Sequence, residues 1–538
     1  MRQAARTAWH AQRELDDGCA LLAQTLVQAK VFSAADVWQE VRLSVEANRP
    51  RAARAAAALL SPGLERSLTE VLDNPMRFLG QRQLADTFNR HELGLLALMR
   101  VAASDPEVAA SQLESRWDSE LPDSLTATAW AHVARQSALK QLPAAAEQAR
   151  RAWQLWDRSH PVGSVPPWGD EVPAWHVRAA LREGGNGAAR WNLVLRAIDG
   201  MGPAQSTDSR EVREARETAW AYWRARAVQA LAKPGEAGDA ARLSSRQALE
   251  ALAAQSGFYG QLAGADLGLP LIWPIPPLAL TAEERAAPNR QPGFARALKL
   301  IELGLRSEGV REWNFWLRGL SDRELLAAAQ LACERQVWDR CINTSERTRS
   351  EVDLAQRFPT PFRELVVAQS QAAGLDPAVV FGLIRQESRF IADARSSVGA
   401  SGLMQLMPAT ARWTAQKVGL PFRPEMVNDH AVNLQLGTAY LKRVLDDFDG
   451  SLAMAAAAYN AGPGRPRRWR EGALLEPAAW AESIPFSETR DYVKKVLSNA
   501  VVYSKVLGQT TPPTLKARLG KSIGPRDGNA PAPNRELP

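Results

Sequence analysis

The sequence predicts an all-α protein, and three observations carry that expectation. Helix-favouring residues, Ala, Leu and Arg above all, dominate the composition. Runs of β-branched residues, the usual mark of strands, are scarce. Short amphipathic segments follow one another with proline-marked turns between them. A chain of 538 residues exceeds what one hydrophobic core organises, so about two to four domains are expected. A hydrophobic fraction of 46% excludes wholesale disorder.

Residues 10–268 read as successive helix hairpins. Pro143, Pro161, Pro166, Pro167, Pro203 and Pro234 act as helix stops, and the Ala-rich run from Arg51 to Leu60 permits close helix approach. Thr128-Ala129-Trp130-Ala131 is echoed by Thr218-Ala219-Trp220-Ala221, without a clean 34-residue period. The expectation is an irregular α-solenoid over 1–275. Its end is set by Leu269-Pro270-Leu271-Ile272-Trp273-Pro274-Ile275-Pro276-Pro277, which cannot be helix interior.

A second helical group follows and is expected to form a small linker domain over 290–356. Arg357-Phe358-Pro359-Thr360-Pro361-Phe362 then opens a third domain, 357–510. Beyond it, 511–538 is rich in Pro, Gly, Lys and Arg and reads as a disordered tail. Of 18 tryptophans, Trp130, Trp153, Trp220 and Trp223 fit packing between hairpins, whereas Trp469 is equally suited to packing or to stacking on a ligand. Cys333 and Cys341 flank a turn between two helices; a disulfide and two buried thiols both remain open.

The net charge of +7 is modest for this length and suits a solvated surface or an anionic polymer. No zinc-finger spacing, basic-region helix or RNA-binding signature supports nucleic acid, and no His/Cys cluster suggests a metal or cofactor. No apolar run is long enough to span a membrane. The first ten residues lack the apolar core of an export signal.

The most informative residue is Glu387. Asp376 and Pro377 open a helix in which Val380, Leu383, Ile384 and Glu387 share one face, with Arg385 and Arg389 on the opposite side. A carboxylate on an apolar stripe is desolvated, so its pKa rises and it can serve as a general acid. A buried Glu satisfied by a structural partner fits the same pattern.

Four blocks weigh on that choice: Arg385-Gln386-Glu387-Ser388-Arg389-Phe390; Gly399-Ala400-Ser401-Gly402-Leu403-Met404-Gln405-Leu406-Met407-Pro408; Ala458-Tyr459-Asn460-Ala461-Gly462-Pro463-Gly464-Arg465; and Glu482-Ser483-Ile484-Pro485-Phe486-Ser487-Glu488-Thr489-Arg490-Asp491-Tyr492-Val493. In this order and spacing they resemble the catalytic domain of the soluble lytic transglycosylases, enzymes of the bacterial periplasm that cleave murein. Gly257-Phe258-Tyr259-Gly260-Gln261-Leu262-Ala263 is similar to part of that family's long helical N-terminal region. The resemblance implies a superhelical, ring-like N-terminal region and a lysozyme-like catalytic domain. It also implies a monomer acting on peptidoglycan glycan strands, with other cell-wall enzymes as candidate partners.

On this resemblance Glu387 is the single catalytic acid and then base. It protonates the oxygen between N-acetylmuramic acid and N-acetylglucosamine, and then takes the proton of the muramyl 6-hydroxyl as a 1,6-anhydro ring closes without water. Ser396, Met404, Gln405, Met407, Tyr459, Asn460, Glu482 and Tyr492 match positions expected to contact substrate. Several have plain competitors: Ser396 as a loop cap, Gln405 bonded to backbone, Asn460 as a helix cap, and Met404 or Met407 in the core. Pro466 stands where the family has an aliphatic residue. A periplasmic location is implied, with the export signal taken to be removed or upstream. Two other readings stay open: a lysozyme-like hydrolase in which Glu482 or Asp393 positions water, and a non-catalytic glycan-binding or docking solenoid.

Overall fold

The computed structural model describes residues 2–12, 16–81, 87–161, 163–202, 210–528 and 532–538, so Pro203 lies outside the described residues. Those residues are helical apart from turns, loops and isolated bridges at Arg395–Ser401, Ser401–Leu406 and Leu475–Ile523. The all-α expectation therefore holds. No described helix is long and apolar enough to cross a membrane.

Two compact units divide the chain. The first comprises Met1–Ala248, Gly472–Pro485 and Ile523–Pro525; the second comprises Leu249–Glu471, Phe486–Ser522 and Arg526–Pro538. In the first unit, helices pair as hairpins, as in Asp123–Leu139 with Ala145–Ser159. Ala127, Ala131, Ala134, Ala138, Ala145, Ala149 and Ala152 are buried there, and short side chains let the helix axes approach. Trp130, Trp153, Trp220 and Trp223 are buried, as expected of packing residues. The Trp130 indole donates to Asp118 at 2.7 Å while the Arg151 guanidinium lies 4.3 Å from its ring. The excursion Gly472–Pro485 packs its helix Pro477–Glu482 on helix Glu171–Arg182. Arg226 grips Glu476 through both guanidinium nitrogens, at 2.7 and 3.1 Å.

The second unit begins earlier than the proline run. Helix Phe258–Asp266 belongs to it, because the buried Gln261 amide donates to the Ser498 carbonyl at 3.1 Å. The proline stretch itself is non-helical, as its composition requires. Helices Pro292–Glu302, Arg306–Trp316, Asp322–Glu334 and Trp338–Ser345 then enclose a core of Phe294, Trp313, Leu317, Leu325, Leu331 and Cys341. Cys333 and Cys341 form a disulfide across the last two, with Cα atoms 5.0 Å apart.

The remainder of this unit centres on helices Pro377–Glu387 and Leu452–Ala461, both packed on the long helix Ser487–Val506. Leu452–Ala461 is Ala-rich and almost entirely buried, which is how a helix apolar on every face satisfies itself. The disordered tail expected over 511–538 is corrected for its described residues. Residues 515–519 form a helix, and the large apolar side chains Leu515, Leu519, Ile523 and Leu537 are buried. Arg518 reaches Asp376 at 2.8 Å and Ser504 at 2.6 Å, so this segment helps to cap the start of helix Pro377–Glu387.

Candidate active site

Asp376 caps helix Pro377–Glu387 by accepting the Ala378 N–H at 2.9 Å, with Pro377 at the first helical position. Val380, Leu383 and Ile384 are fully buried, as the stripe predicts. The helix is buried on its far side too, where Arg385 is only 7% exposed. The helix also approaches Ser487–Val506 at Gly382, where a Cβ would stand 2.8 Å from the Val496 carbonyl oxygen.

Glu387 is the last residue of the helix and half-buried. Burial drives its pKa up, the Tyr492 hydroxyl opposes that by donating to Oε1 at 2.5 Å, and the negative charge of Glu488 adds to the rise. The outcome is a carboxyl group pushed up to about 8. The negative end of the helix dipole acts in the same direction as the burial. At neutral pH this group carries its proton, the state a general acid needs.

The chain turns sharply after the acid. Arg389 and Phe390 both adopt left-handed conformations, at φ 49° and 64°. Ser388 Oγ fixes the turn by accepting the Phe390 N–H at 3.1 Å and donating to the Leu403 carbonyl at 2.8 Å. The loop 394–406 is held beside the acid by a residue the sequence did not flag. Asn433, fully buried, donates to the carbonyls of Ser401 (3.1 Å) and Val427 (2.8 Å) and accepts the Met404 N–H (2.8 Å). Its signal was the same as that of Glu387, a polar residue on the stripe Asn433, Leu436, Gly437, Tyr440. Gly402 admits it, being at φ 82° with an added Cβ only 2.2 Å from the Asn433 amide.

The other expected residues divide. Tyr492 and Tyr459 both come to the acid. Tyr459 donates to the Met404 carbonyl at 2.8 Å, and burial together with the Glu387 charge pushes its phenol well up, so it stays protonated. Asn460 accepts from Thr489 Oγ1 at 2.6 Å, joining its helix to the one that carries Tyr492. Ser396 Oγ accepts the Ala400 N–H at 2.9 Å and still has a proton to donate. Gln405 Nε2 bonds the carbonyls of Ala394 (3.0 Å) and Gly402 (2.8 Å), the backbone alternative.

Met404 as a ligand contact is corrected, Trp469 takes the packing alternative, and Glu482 has a structural partner. The Met404 side chain is completely buried against Gly437 and offers no surface to a ligand; Met407, 41% exposed, is the methionine that does. Trp469 is buried with its ring against Phe486, 5.4 Å between centroids, and the exposed aromatic here is Phe486, with the Arg465 guanidinium 4.7 Å from its ring. Glu482 lies in the first unit, 1% exposed, bonded by Arg178 Nε at 3.1 Å. Asp393 is exposed on its turn. Among the described residues no His/Cys/Asp/Glu group is arranged to hold a metal ion.

Family models match three stretches: the soluble lytic murein transglycosylase L domain over 288–350, the transglycosylase SLT domain over 364–474, and the soluble lytic transglycosylase helical domain over 483–512. The SLT match contains Glu387, its turn, the Asn433-bound loop and the Tyr459 helix. Over these three stretches the chain is similar to the soluble lytic murein transglycosylases. Soluble lytic murein transglycosylases of Salmonella typhimurium and Escherichia coli are 33% and 32% identical to it over 269 and 275 residues. Those stretches are 49% and 50% of this chain but 41% and 42% of the two relatives, less than half their length. An inactive variant of the lytic transglycosylase Slt from Pseudomonas aeruginosa superposes with a TM-score of 0.71 at 28% identity, covering 97% of this chain and 81% of that one. The 70 kDa soluble lytic transglycosylase of Escherichia coli has the same fold, with a TM-score of 0.66 at 24% identity over 97% of this chain and 80% of that one.

Proposed function

We propose that this protein is a periplasmic lytic transglycosylase. It cleaves the β-1,4 bond between N-acetylmuramic acid and N-acetylglucosamine in peptidoglycan glycan strands and leaves 1,6-anhydromuramic ends. The observation that carries the proposal is the Glu387 carboxyl, protonated at neutral pH by burial and bonded to Tyr492.

Glu387 gives its proton to the bridging oxygen as the bond from the muramyl C1 to that oxygen breaks, releasing the N-acetylglucosamine hydroxyl. The substrate's N-acetyl group stabilises the positive C1. The carboxylate, now held by the Tyr492 hydroxyl, takes the proton of the muramyl 6-hydroxyl. That oxygen closes on C1, and Glu387 is again protonated. Atoms balance without water. The free Ser396 proton, Asn460 and the exposed Met407 side chain are the proposed substrate contacts; Tyr459, Gln405 and the Met404 backbone hold the cleft. Glu482 is left with no substrate role in this scheme, because Arg178 occupies it.

One observation favours the hydrolase alternative: the exposed Glu488, on the helix of Tyr492, is close enough for its charge to act on Glu387 and could activate water. Mass spectrometry of murein digested by the chain decides. Anhydromuramic ends support the transglycosylase; reducing muramic ends would establish the hydrolase instead.

A further inference from the structure

The acid's helix is gripped from behind by a residue of another module. Glu346, at the C-terminal cap of helix Trp338–Ser345, lies within the L-domain match of 288–350. One of its carboxylate oxygens accepts from Arg385 Nη2 at 2.6 Å and the other from Arg389 Nη1 at 3.3 Å. These arginines stand two residues before and two after Glu387. All the groups belong to the second compact unit.

The grip is built rather than incidental. Arg385 is buried, its Nε donates to the Arg357 carbonyl at 2.9 Å, and its guanidinium lies 4.4 Å from the Phe358 ring. Arg357 in turn bonds the Ser345 carbonyl at 3.2 Å and the Thr348 hydroxyl at 2.8 Å, on either side of Glu346. Trp313 Nε1 anchors the same helix through Thr344 at 2.9 Å. Burial would push the Glu346 carboxyl up, but the charges of Arg385, Arg389 and Arg357 outweigh it and hold the group ionised.

What this grip restrains is a strained place. Two consecutive non-glycine residues in the left-handed region, Arg389 and Phe390, each cost about 1–3 kcal/mol and persist only where their surroundings over-determine them. Bracing both arginines fixes the direction in which the last helical residue, Glu387, leaves the backbone. We propose that Glu346 is a positioning residue for the reaction, so that the linker module is a working part of the active site. The proposal rests on the transglycosylase reading, because only then does the aim of Glu387 govern turnover.

The test uses the full chain with Glu346→Gln, which keeps the volume and one acceptor for Arg385 but loses the charge held against Arg389. On murein strands kcat should fall about ten-fold while KM stays within about two-fold, the signature of a misaimed acid. Hydrogen exchange should rise about ten-fold at the amides of Ser388, Phe390 and Ile391, the bonded groups of the turn. Arg389→Gln should reproduce both effects, and the double variant should be no worse than either single one. Unchanged kcat and unchanged exchange at the turn would overturn the proposal. So would a lowered Tm with both unchanged, which would make Glu346 a plain brace. If the wild-type chain forms no anhydromuramic ends, the functional reading fails, while the exchange measurement still decides whether Glu346 holds the turn.

Discussion

Glu387 and Glu482 have matching local settings. Each is the last residue of a helix opened by a proline, Pro377–Glu387 and Pro477–Glu482, and each is followed by a serine whose hydroxyl bonds a nearby carbonyl. Glu387 is half-buried and Glu482 fully buried. Glu387, in the second unit, faces a phenol; Glu482, in the first, faces the Arg178 guanidinium, itself stacked 4.7 Å from Trp175 and 5.3 Å from Trp220. A neutral donor leaves the first carboxyl able to keep and give up a proton. A permanent cation commits the second to structure. The partner, phenol or guanidinium, is what separates the two.

The strongest way to break this contrast is Glu387→Gln. Cleavage of murein should fall by about a thousand-fold or more, since the amide has no proton to transfer, while the circular dichroism spectrum stays that of the parent. Residual turnover near that of the parent would remove Glu387 from the chemistry. The second is Glu482→Gln, which removes the buried carboxylate from Arg178 and leaves it the exposed Glu171 at 3.5 Å. Urea denaturation should report a loss of about 1–3 kcal/mol. If turnover were abolished with stability unaltered, Glu482 would join Glu387 as a reacting group and the contrast would fail.

A third measurement sharpens the contrast through pH. With a folded pKa of about 8 against 4.5 unfolded, Glu387 keeps its proton longer in the folded state. Its contribution is fully present below pH 4.5 and is lost as pH rises through 8, because the unfolded state ionises first. Glu387→Gln lacks this loss, so the variant should gain on the parent by an order of a few kcal/mol between those limits in denaturation series. The smallest effect belongs to Tyr492→Phe. Deleting a donor that favours the ionised carboxylate should raise the Glu387 pKa further, moving the alkaline limb of the pH–rate profile upward, and lower kcat about ten-fold. A limb that moves down would contradict the bond.

Much of this was legible in the chain because it depended on local periodicity. The Asp376 cap and the helix of Glu387 follow from spacing, while the glycine-bearing loop after it came with the family resemblance. What was hidden depended on which element lies across the way. Arg385 reads only as lying opposite the apolar stripe, and its partner Glu346 comes from another helix. Met404 and Met407 are indistinguishable in sequence, and the missing side chain of Gly437 is what admits Met404 to the core. Tyr492 meets Glu387 across 105 residues, whereas the resemblance placed it only among the substrate contacts. The segment after residue 510 looked too polar to fold, yet Leu515, Leu519, Ile523 and Leu537 are buried and Arg518 binds Asp376. The proline run marks an irregular stretch correctly, but Gln261 already ties the helix before it to the second unit.

Gly382 has a wider bearing. With the Val496 carbonyl 2.8 Å from where a Cβ would be, the gap between the acid and its phenol is set by two main chains lying against each other, and no repacking of neighbouring side chains can widen or narrow it. A saturation scan of the chain would rank this position among the least forgiving, although it has no reactive atom to contribute. Anyone grafting the acid onto another scaffold would have to carry over this point of contact along with the carboxyl group.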